Sequence, residues 1–395
     1  MTSLAAGPEI VAIPGPSVVP ERVLTAMHRP MPDIYDGGLL DVTDEVYAAL
    51  PGIAGSSRRA IVTIGNGHAA WEMALSNTLS RGDRILVLDC GRFAAIWGEM
   101  ATVNGLDVEL VEAPPGRAND PDALEERLRA DPSHTIKAVL IAHVDTASSA
   151  RNDVAAFRRA IDAAGHPALL MVDGIASIGC EPFHLDDWGV DLVLSATQKG
   201  LMTPPGLGIV WPGARAFAAH EHADLRTRYW DWTYRSEEGP HYLRFCGTPP
   251  VTHLFGLREA LRMIDEEGLE QRWERHRVLA DAVRAAVAAW GTRSDIHCYV
   301  TDATARANSV TNVQCGTAID SVELARRCRD DFGVTLGVGI GDLGGPSFRI
   351  GHMGHVNAPM ILGVLGSVEA ALISMGVDVP ESGVAAAAAT LAAAV

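Results

Sequence analysis

The chain of 395 residues lacks the features that mark several specialised classes of protein. Its six cysteines are scattered, without a Cys-x-x-Cys pair, so neither a disulfide framework nor a metal site is expected. No run of about 18 apolar residues is present that would cross a bilayer. The first 20 residues show no basic segment followed by an apolar one, the pattern of a secretory signal. We therefore expect a cytoplasmic protein without a membrane partner.

Positive charge is scarce as well, because 32 lysines and arginines face 49 aspartates and glutamates. The resulting formal charge of -17 argues against nucleic acid or an anionic membrane surface as a partner. A site for an anionic substrate must therefore collect its own positive charge. The remaining composition, 48% hydrophobic and 21% charged, is ordinary for a globular protein. At this length we expect two or three domains, or one large domain that carries a smaller one.

Short apolar runs alternate with helix-like segments through the first half of the chain. The apolar runs lie at residues 60–64, 84–89, 107–111, 138–142, 168–173, 192–195 and 208–211. This alternation predicts an α/β fold, in which helices cover both faces of a mainly parallel sheet. Sheets of this type bind ligands outside the carboxyl ends of their strands. The residues that follow each run are therefore the first candidates for a site.

The pattern changes after about residue 250, where helical segments surround short strands. This change predicts a smaller α+β domain built on a long connecting helix. We accordingly divide the chain into an N-terminal segment (1–20), a large α/β domain (21–255) and a small C-terminal α+β domain (256–395).

Asp173 and Lys199 follow two consecutive apolar runs. The stretch between them is long enough for one crossover and a return strand, which predicts that their side chains lie at neighbouring strand ends. Taken alone, Asp173 is as compatible with a structural role as with a binding role, and an isolated lysine before a turn is usually a surface residue. The small polar residues before Lys199 and the turn at 203–206 favour an amine at the mouth of a pocket.

The loop Gly65-Asn66-Gly67-His68 lies between an apolar run and a helical segment. A glycine-rich turn that leads into a helix N-terminus binds anions, because free N–H groups and the helix dipole favour phosphate, although so short a motif is weak evidence alone. Together with a lysine and a carboxylate in the same sheet, it supplies what pyridoxal 5'-phosphate (PLP) requires. A dinucleotide site is disfavoured, because no Gly-x-Gly-x-x-Gly motif follows a strand with an acidic residue further on.

Long segments of the chain resemble the class V, fold-type I PLP-dependent aminotransferases, near the serine–glyoxylate and alanine–glyoxylate enzymes. The matching segments lie at residues 13–17, 71–79, 163–174, 197–202, 256–261 and 348–352, and the resemblance extends over essentially the whole chain. It implies a large domain with a mostly parallel seven-stranded sheet and a smaller α+β C-terminal domain. It also implies PLP as cofactor, small amino-acid and 2-oxo-acid substrates, and a homodimer or a dimer of dimers with sites at the interface.

The resemblance also implies roles for individual residues. Lys199 matches the catalytic lysine that forms the Schiff base with PLP and moves the proton, and Asp173 matches the carboxylate that keeps the ring nitrogen protonated. Arg349 matches the arginine whose planar fork binds the substrate carboxylate. The other positions that match cofactor-binding residues are Asn66, Gly67, His68 and Gln198 at the phosphate, Phe93 on the ring, Thr146 beside its phenolic oxygen, and Thr248 from the second subunit.

Several of these positions have an alternative interpretation that the sequence leaves open. Phe93 would also suit plain core packing, and Thr146 a hydroxyl that stabilises a turn. His143 and His352 are more typical of structural histidines than of site residues. For His68 a role in the site is slightly favoured, because the alanine–glyoxylate enzymes carry a histidine at this position.

The chain departs from the serine–glyoxylate pattern at positions that would shape the substrate pocket. Residues 33–38 replace an expected His-Arg pair, and Asn66 to His68 replace the usual Ser-Gly-Thr. Phe245 stands where an intersubunit tyrosine is expected. Tyr35 with the next residue, and the stretch from His143 to Thr146, resemble pyridoxamine–pyruvate transaminase. Tyr35 and Phe245 therefore join Arg349 as predicted substrate-binding residues.

The first hypothesis is a ping-pong aminotransferase that moves an amino group from serine, alanine or a similar amino acid to glyoxylate or pyruvate. The alternative is pyridoxamine–pyruvate transamination, which is disfavoured because the lysine of that enzyme follows asparagine, whereas Gln198 precedes Lys199 here. A PLP lyase such as a cysteine desulfurase is disfavoured further, because it needs a histidine before the lysine and a cysteine in a mobile loop. A PLP-binding protein without activity would not need both Lys199 and Arg349.

Overall fold

The computed structural model describes residues 4–235 and 239–395. In chain order, the strands are β1 (Ile10–Ala12), β2 (Ile61–Gly65), β3 (Arg84–Asp89), β4 (Asp107–Glu112), β5 (Ile136–Ala142), β6 (Leu169–Asp173), β7 (Leu192–Ala196), β8 (Gly206–Pro212), β9 (Ile296–Cys298), β10 (Val310–Cys315), β11 (Val334–Val338) and β12 (Ser347–Gly351). The α-helices are α1 (Glu21–Met27), α2 (Gly38–Ile53), α3 (Gly67–Thr78), α4 (Phe93–Val103), α5 (Pro121–Arg129), α6 (Val154–Ala163), α7 (Ala214–His220), α8 (Val251–Glu267), α9 (Leu269–Trp290), α10 (Ser321–Phe332), α11 (Ala358–Ser374) and α12 (Gly383–Ala392).

The larger sheet has seven strands in the order β2-β8-β7-β6-β5-β3-β4. Strands β3 to β7 pair in parallel, and β8 runs antiparallel to both of its neighbours. Each predicted apolar run corresponds to one of these strands, so the predicted α/β fold is confirmed. Every residue of β6 and β7 is buried, as is usual when helices cover both faces of a parallel sheet. The carboxyl ends of β5, β6 and β7 lie side by side at one edge of the sheet.

The side chains of the large sheet alternate between two apolar cores. In β5, Val139 and Ile141 belong to the core that includes α2, α6 and α8, whereas Ala138 and Leu140 belong to the core that includes α3 and α4. This follows from the two-residue period of a strand, which sends successive side chains to opposite faces. The layer on the α3 side contains the fully buried indoles of Trp71 and Trp97.

The smaller sheet has the strand order β1-β11-β12-β10-β9, in which β1 is parallel to β11 and the other pairs are antiparallel. Its own apolar core takes side chains from α9, α10 and α11, and α12 packs on α9. Strand β1 comes from the segment 1–20 that we set apart by sequence. The N-terminus therefore crosses back to complete the C-terminal sheet.

The apolar core that includes α2, α6 and α8, called the first core below, extends further along the chain than residue 255, where we placed the end of the large domain. Apolar residues of α8 from Leu254 to Ile264 belong to the first core, and the helix packs on α1 and α2. Gly268, with a φ of 84°, separates α8 from α9. The predicted boundary at 255/256 falls inside α8, which packs with the first core over its length, and the division into domains stays a prediction. No helix in the described part of the chain is both long and apolar enough to cross a membrane.

Candidate active site

A cavity of about 270 Å³ opens where the carboxyl ends of β5, β6 and β7 face the start of α3. Eight predicted site residues line it, namely Asn66, Gly67, His68, Phe93, Thr146, Asp173, Gln198 and Lys199. The lining also includes residues to which we assigned no role, namely Gly15, Pro16, Trp71, Val144, Ile175 and Ala176. The structure thus brings together residues from five separate segments of the chain, as the rule for strand ends predicts.

Asp173 is the last residue of β6, and its side chain is almost completely buried, with 3% of its surface exposed. Its Oδ1 accepts the N–H of Ile175 at 2.7 Å, and its Oδ2 accepts the indole N–H of Trp71 at 2.9 Å. Burial raises the pKa of Asp173 to about 7, because a charged carboxylate loses its hydration there. A cationic N–H placed in the cavity would therefore gain strongly from this carboxylate.

Lys199 follows β7 in the turn beneath the cavity. Its Nζ donates to the carbonyl oxygen of Pro14, and its own carbonyl accepts the hydroxyl of Ser17 at 2.7 Å. Burial and then the positive charge of Arg349 lower the pKa of Lys199 to about 8. A larger fraction of the amine is then neutral near pH 7, the form that acts as nucleophile and base.

Lysine is rare in this chain, which has two, Lys137 and Lys199. Lys137 is exposed, donates to the carbonyl oxygen of His134 at 3.1 Å and does not line this cavity. Lys199 is therefore the one lysine at this cavity, in a protein that otherwise uses arginine. The scarcity of lysine is visible in the sequence, and it points to a functional role of Lys199 more strongly than the turn residues around it do.

Arg349, in β12, lies behind Thr146 with 6% of its surface exposed. Its Nε donates to the carbonyl oxygen of Val338 at 2.8 Å, and its Nη1 donates to that of Thr146 at 2.7 Å. Within residues 4–235 and 239–395, no carboxylate forms an ion pair with it. Burial lowers the pKa of Arg349 to about 10. A buried guanidinium without a counterion suits an incoming carboxylate.

The start of α3 offers backbone donors on the exposed side of the cavity. The side chain of Asn66 caps the helix by accepting the N–H of His68 at 3.1 Å, whereas the N–H of Gly67 has no partner in the described part of the chain. The side-chain oxygen of Gln198 is buried without a partner among the described residues, and as an acceptor it calls for a donor. Burial lowers the pKa of His68, so its ring is neutral. The free N–H of Gly67 fits an anionic ligand group at a helix N-terminus.

Phe93 and Thr146 are held in the cavity wall by a residue that we had not singled out. Asp145, which is fully buried, accepts the N–H of Phe93 at 2.8 Å and of Arg92 at 2.9 Å. Its other oxygen accepts backbone N–H groups of the loop after Thr146. Asp145 thus ties the start of α4 to the end of β5. Asp145 could have been found from the sequence in the same way as Asp173, because it too is a carboxylate close to the end of an apolar run.

Besides Arg349, three predicted residues do not line this cavity. Thr248 is exposed, and Tyr35 is 71% exposed with its ring edge-to-face against Tyr242. Phe245 is completely buried and packs against Tyr47 in the first core. Phe245 therefore does not meet the cavity of its own chain, and its assignment to substrate binding stays a prediction.

His143 and His352 lie in apolar surroundings, away from the wall of the cavity. Burial lowers the pKa of each to about 3, so both rings are neutral. The ring of His352 bonds the carbonyl oxygen of Asn308 at 2.8 Å and the hydroxyl of Thr311 at 2.9 Å. His143 packs against Phe183. These contacts are those of structural histidines.

The cavity and the groups around it fit PLP. Asp173 offers a buried carboxylate for a protonated ring nitrogen, Lys199 an amine with a lowered pKa, and the start of α3 donors for a phosphate. The partly buried Gln198 amide, which lacks a partner among the described residues, is the kind of group that a bound ligand completes.

Comparisons with known proteins agree with this geometry. The model of the aminotransferase class-V family matches residues 51–343. A serine–glyoxylate aminotransferase from Methylorubrum extorquens is 40% identical, over 95% of this chain and 94% of its own length. An L-aspartate–glyoxylate aminotransferase from Paracoccus denitrificans is 36% identical, also over 95% of this chain and 94% of its own.

Among solved structures, the pyridoxamine–pyruvate aminotransferase of Mesorhizobium loti superposes with a TM-score of 0.90 at 26% identity. The superposition covers 99% of this chain and 98% of that one. The match of the family model extends over most of the sequence, and both relatives exceed 30% identity over nearly its full length. The chain therefore belongs to the class-V aminotransferases, and it is a PLP-dependent aminotransferase of fold type I.

Proposed function

We propose that this enzyme transfers the amino group of a small amino acid, such as serine or alanine, to glyoxylate or pyruvate by a ping-pong mechanism. The observation that carries this proposal is the buried guanidinium of Arg349, which has no carboxylate partner among the described residues and acts electrostatically on Lys199. Such a cation favours substrates with a carboxylate next to the reacting carbon. The two curated relatives described above both use glyoxylate by name, which supports it as acceptor.

Each residue of the cavity would contribute one task to this reaction. PLP, when bound, supplies an electron-accepting ring and holds the amino group between the two half-reactions. The neutral amine of Lys199 would take a proton from Cα of the substrate and return it, which its lowered pKa permits. Asp173 would hold the proton on the ring nitrogen, and Arg349 would orient the substrate carboxylate.

The remaining lining residues would grip and cover the cofactor. Asn66, Gly67, His68 and Gln198 would hold the phosphate, Phe93 would pack on the ring, and Thr146 would lie beside its phenolic oxygen. Phe93 is fixed for this by its N–H bond to Asp145.

We propose further that the enzyme is a homodimer, in which Thr248 and Tyr35 of one subunit reach the cavity of the other. Both side chains are exposed and lie outside the cavity of their own chain, so they are available to a partner. A cytoplasmic location belongs to the same proposal, because all six cysteines are free, as expected for a reducing compartment.

A kinetic screen tests the proposed function. Purified enzyme is assayed with serine, alanine and aspartate as donors, each against glyoxylate and pyruvate, and with the decarboxylated amines as controls. We expect multiple turnovers with amino acids and almost none with the amines, because the amines offer nothing to Arg349. Equal use of the acids and their amines would overturn the proposal.

Pyridoxamine–pyruvate transamination is the second candidate, and the likeness to the Mesorhizobium loti structure favours it. In that case pyridoxamine would be a substrate without a phosphate. The groups gathered at the start of α3 and at Gln198 support a resident phosphate instead. We expect PLP to stay bound through gel filtration and pyridoxamine not to be consumed. Stoichiometric conversion of pyridoxamine and pyruvate to pyridoxal and alanine, by protein isolated without PLP, would reverse the ranking.

A lyase of the cysteine desulfurase type has no support in the cavity. Such an enzyme needs a cysteine thiol at the substrate, and none of the six cysteines, all of which lie in the described part of the chain, lines the cavity. Cys180 is the one whose charge acts on Lys199, and burial raises its pKa to about 11. A thiol of this kind is a poor nucleophile at neutral pH.

A further inference from the structure

The indole of Trp71 contacts Asp173, although 102 residues separate the two in the chain. Its Nε1–H donates to Oδ2 of the carboxylate at 2.9 Å, and the backbone N–H of Ile175 donates to Oδ1 at 2.7 Å. Trp71 is completely buried and Asp173 nearly so. Each carboxylate oxygen therefore has its own donor, which fixes the direction in which the carboxyl group faces.

Two neighbouring rings hold the indole of Trp71 in place. His68 stacks on one side, with ring centroids 4.4 Å apart, and Trp97 lies nearly parallel, with centroids 6.1 Å apart. The ring of His68 is neutral and adds no charge. Trp97 is as deeply buried as Trp71, but its Nε1–H has no hydrogen-bond partner within the described residues. Of these two packed indoles, one uses its N–H and the other does not.

We propose that Trp71 is a positioning residue, whose indole N–H keeps the carboxylate of Asp173 ionised and directed at the ring nitrogen of PLP. This inference rests on the proposed role of Asp173. A hydrogen bond donated to the charged form of a carboxyl group favours that form over the neutral one. Trp71 thus acts on the cofactor only through Asp173.

The balance of charges around Asp173 shows why such a donor matters. Burial raises the pKa of Asp173, the bonds from Ile175 and then Trp71 lower it, the charge of Asp145 raises it and that of Lys199 lowers it. The resulting value lies close to neutrality, so the loss of one donor changes which form prevails. An uncharged Asp173 would no longer hold a proton on the ring nitrogen.

The matched pair Trp71→Phe and Trp97→Phe tests the proposal in the PLP-loaded enzyme. Both substitutions keep an aromatic ring and remove one buried indole N–H. For Trp71→Phe we expect kcat to fall about 10- to 100-fold and PLP to bind more weakly, since a hydrogen bond to a charged group is lost. The acidic limb of the pH profile should move up by about one unit. Trp97→Phe should change these quantities by less than about threefold, because its N–H has no partner.

If Trp71→Phe does not fold, nuclear magnetic resonance of the wild-type protein tests the same proposal. The full-length chain, freed of PLP and labelled at the indole nitrogens, should show one of its eight tryptophan N–H signals moving as Asp173 titrates. The same signal should stay constant in Asp173→Asn. A wild-type spectrum without a titrating indole signal, or identical pH profiles for the two phenylalanine variants, would overturn the proposal.

The outcomes also separate this inference from the function on which it rests. If Asp173→Asn left turnover and PLP affinity unchanged, the proposed role of Asp173 itself would fail. If Asp173→Asn lost both while Trp71→Phe behaved like Trp97→Phe, the role of Trp71 alone would fail.

Discussion

The buried side of the cavity consists of Asp173 and Lys199 in its wall and Arg349 behind it. Asp173 and Arg349 are buried, Lys199 is half-buried, and the hydrogen bonds of all three come from the chain itself. On the open side, formed by Asn66, Gly67, His68 and Gln198, the side chains of Asn66 and His68 are exposed and polar groups lack partners among the described residues. Burial raises the pKa of Asp173 and lowers the pKa of Lys199 and of Arg349, and each of these shifts favours the uncharged form.

This difference indicates that the two sides of the cavity have different roles, catalysis on the buried side and binding of the cofactor on the open side. A buried charge costs free energy unless a group of opposite charge pairs with it. The charged groups of the buried side therefore gain their partners when the cofactor and the substrate bind, and they are then placed to catalyse the reaction. The open side needs only to hold an anion, and a helix N-terminus does so without burial. Substitutions on the buried side should therefore abolish turnover, whereas those on the open side should weaken cofactor binding.

The largest effect is expected for Lys199→Ala. Without the amine there is neither a nucleophile to hold the cofactor covalently nor a base for the substrate proton, so turnover should fall by about 10³-fold or more. The visible absorption of the lysine-linked cofactor should disappear as well. Lys137→Ala is the matched control, because it removes the other lysine of the chain, an exposed one, and should leave activity unchanged.

Reduction of the PLP-loaded enzyme with borohydride gives a second measurement on the same residue. The label should be found on the peptide that contains Lys199 and be absent from the one that contains Lys137. Near-normal turnover by Lys199→Ala, without an added amine, would show that the buried side works differently from our description.

Arg349→Ala is expected to have the next largest effect. The loss of a bidentate partner for a buried carboxylate costs about 2–5 kcal/mol, so kcat/KM for amino acids and for 2-oxo acids should fall roughly 30- to 4000-fold. PLP affinity should survive, because Arg349 does not line the cavity and reaches it only through the carbonyl of Thr146. A variant with unchanged use of both substrates, or with lost PLP instead, would contradict this separation.

A smaller effect is expected for Gln198→Leu on the open side. The loss of one hydrogen bond to a charged phosphate should weaken PLP binding about 10-fold. Binding of pyridoxal, which has no phosphate, should not change. Equilibrium titration of both ligands against wild type and variant measures the two affinities. If pyridoxal lost as much affinity as PLP, Gln198 would act on the ring or on Lys199 and not on the phosphate.

The sequence predicted those residues of the site whose position depends only on the nearby strand or helix. Lys199 and Asp173 each follow an apolar run, and Asn66 to His68 lie between a strand and a helix, so their placement needs only the strand order of a parallel sheet. The seven strands of the large sheet were predictable for the same reason, since buried parallel strands form continuous apolar runs.

The remaining parts depend on contacts between distant segments, which a local pattern does not contain. The bond from Trp71 to Asp173 and the bond from Lys199 to Pro14 join residues far apart in the chain. The same holds for β1, whose partner β11 comes more than 300 residues later. The burial of Phe245 likewise depends on its packing against Tyr47, which the family position behind its predicted role does not reveal.

The smallest effect, and the one that tests the buried side without any ligand, concerns the stability of the cofactor-free enzyme at different pH values. Burial raises the pKa of Asp173 to about 7, above its value of about 4 in the unfolded chain. A group of this kind stabilises the fold fully below pH 4, and that contribution is lost as the pH rises through 7. Asp173→Asn does not titrate, so its melting temperature should match wild type near pH 4 and exceed it by a few degrees near pH 7.5. Lys199 acts in a separate window, above its pKa of about 8. A gap between variant and wild type that stayed constant from pH 4 to pH 7.5 would show that Asp173 is not held in its neutral form, and that the contrast between the two sides of the cavity is smaller than the geometry indicates.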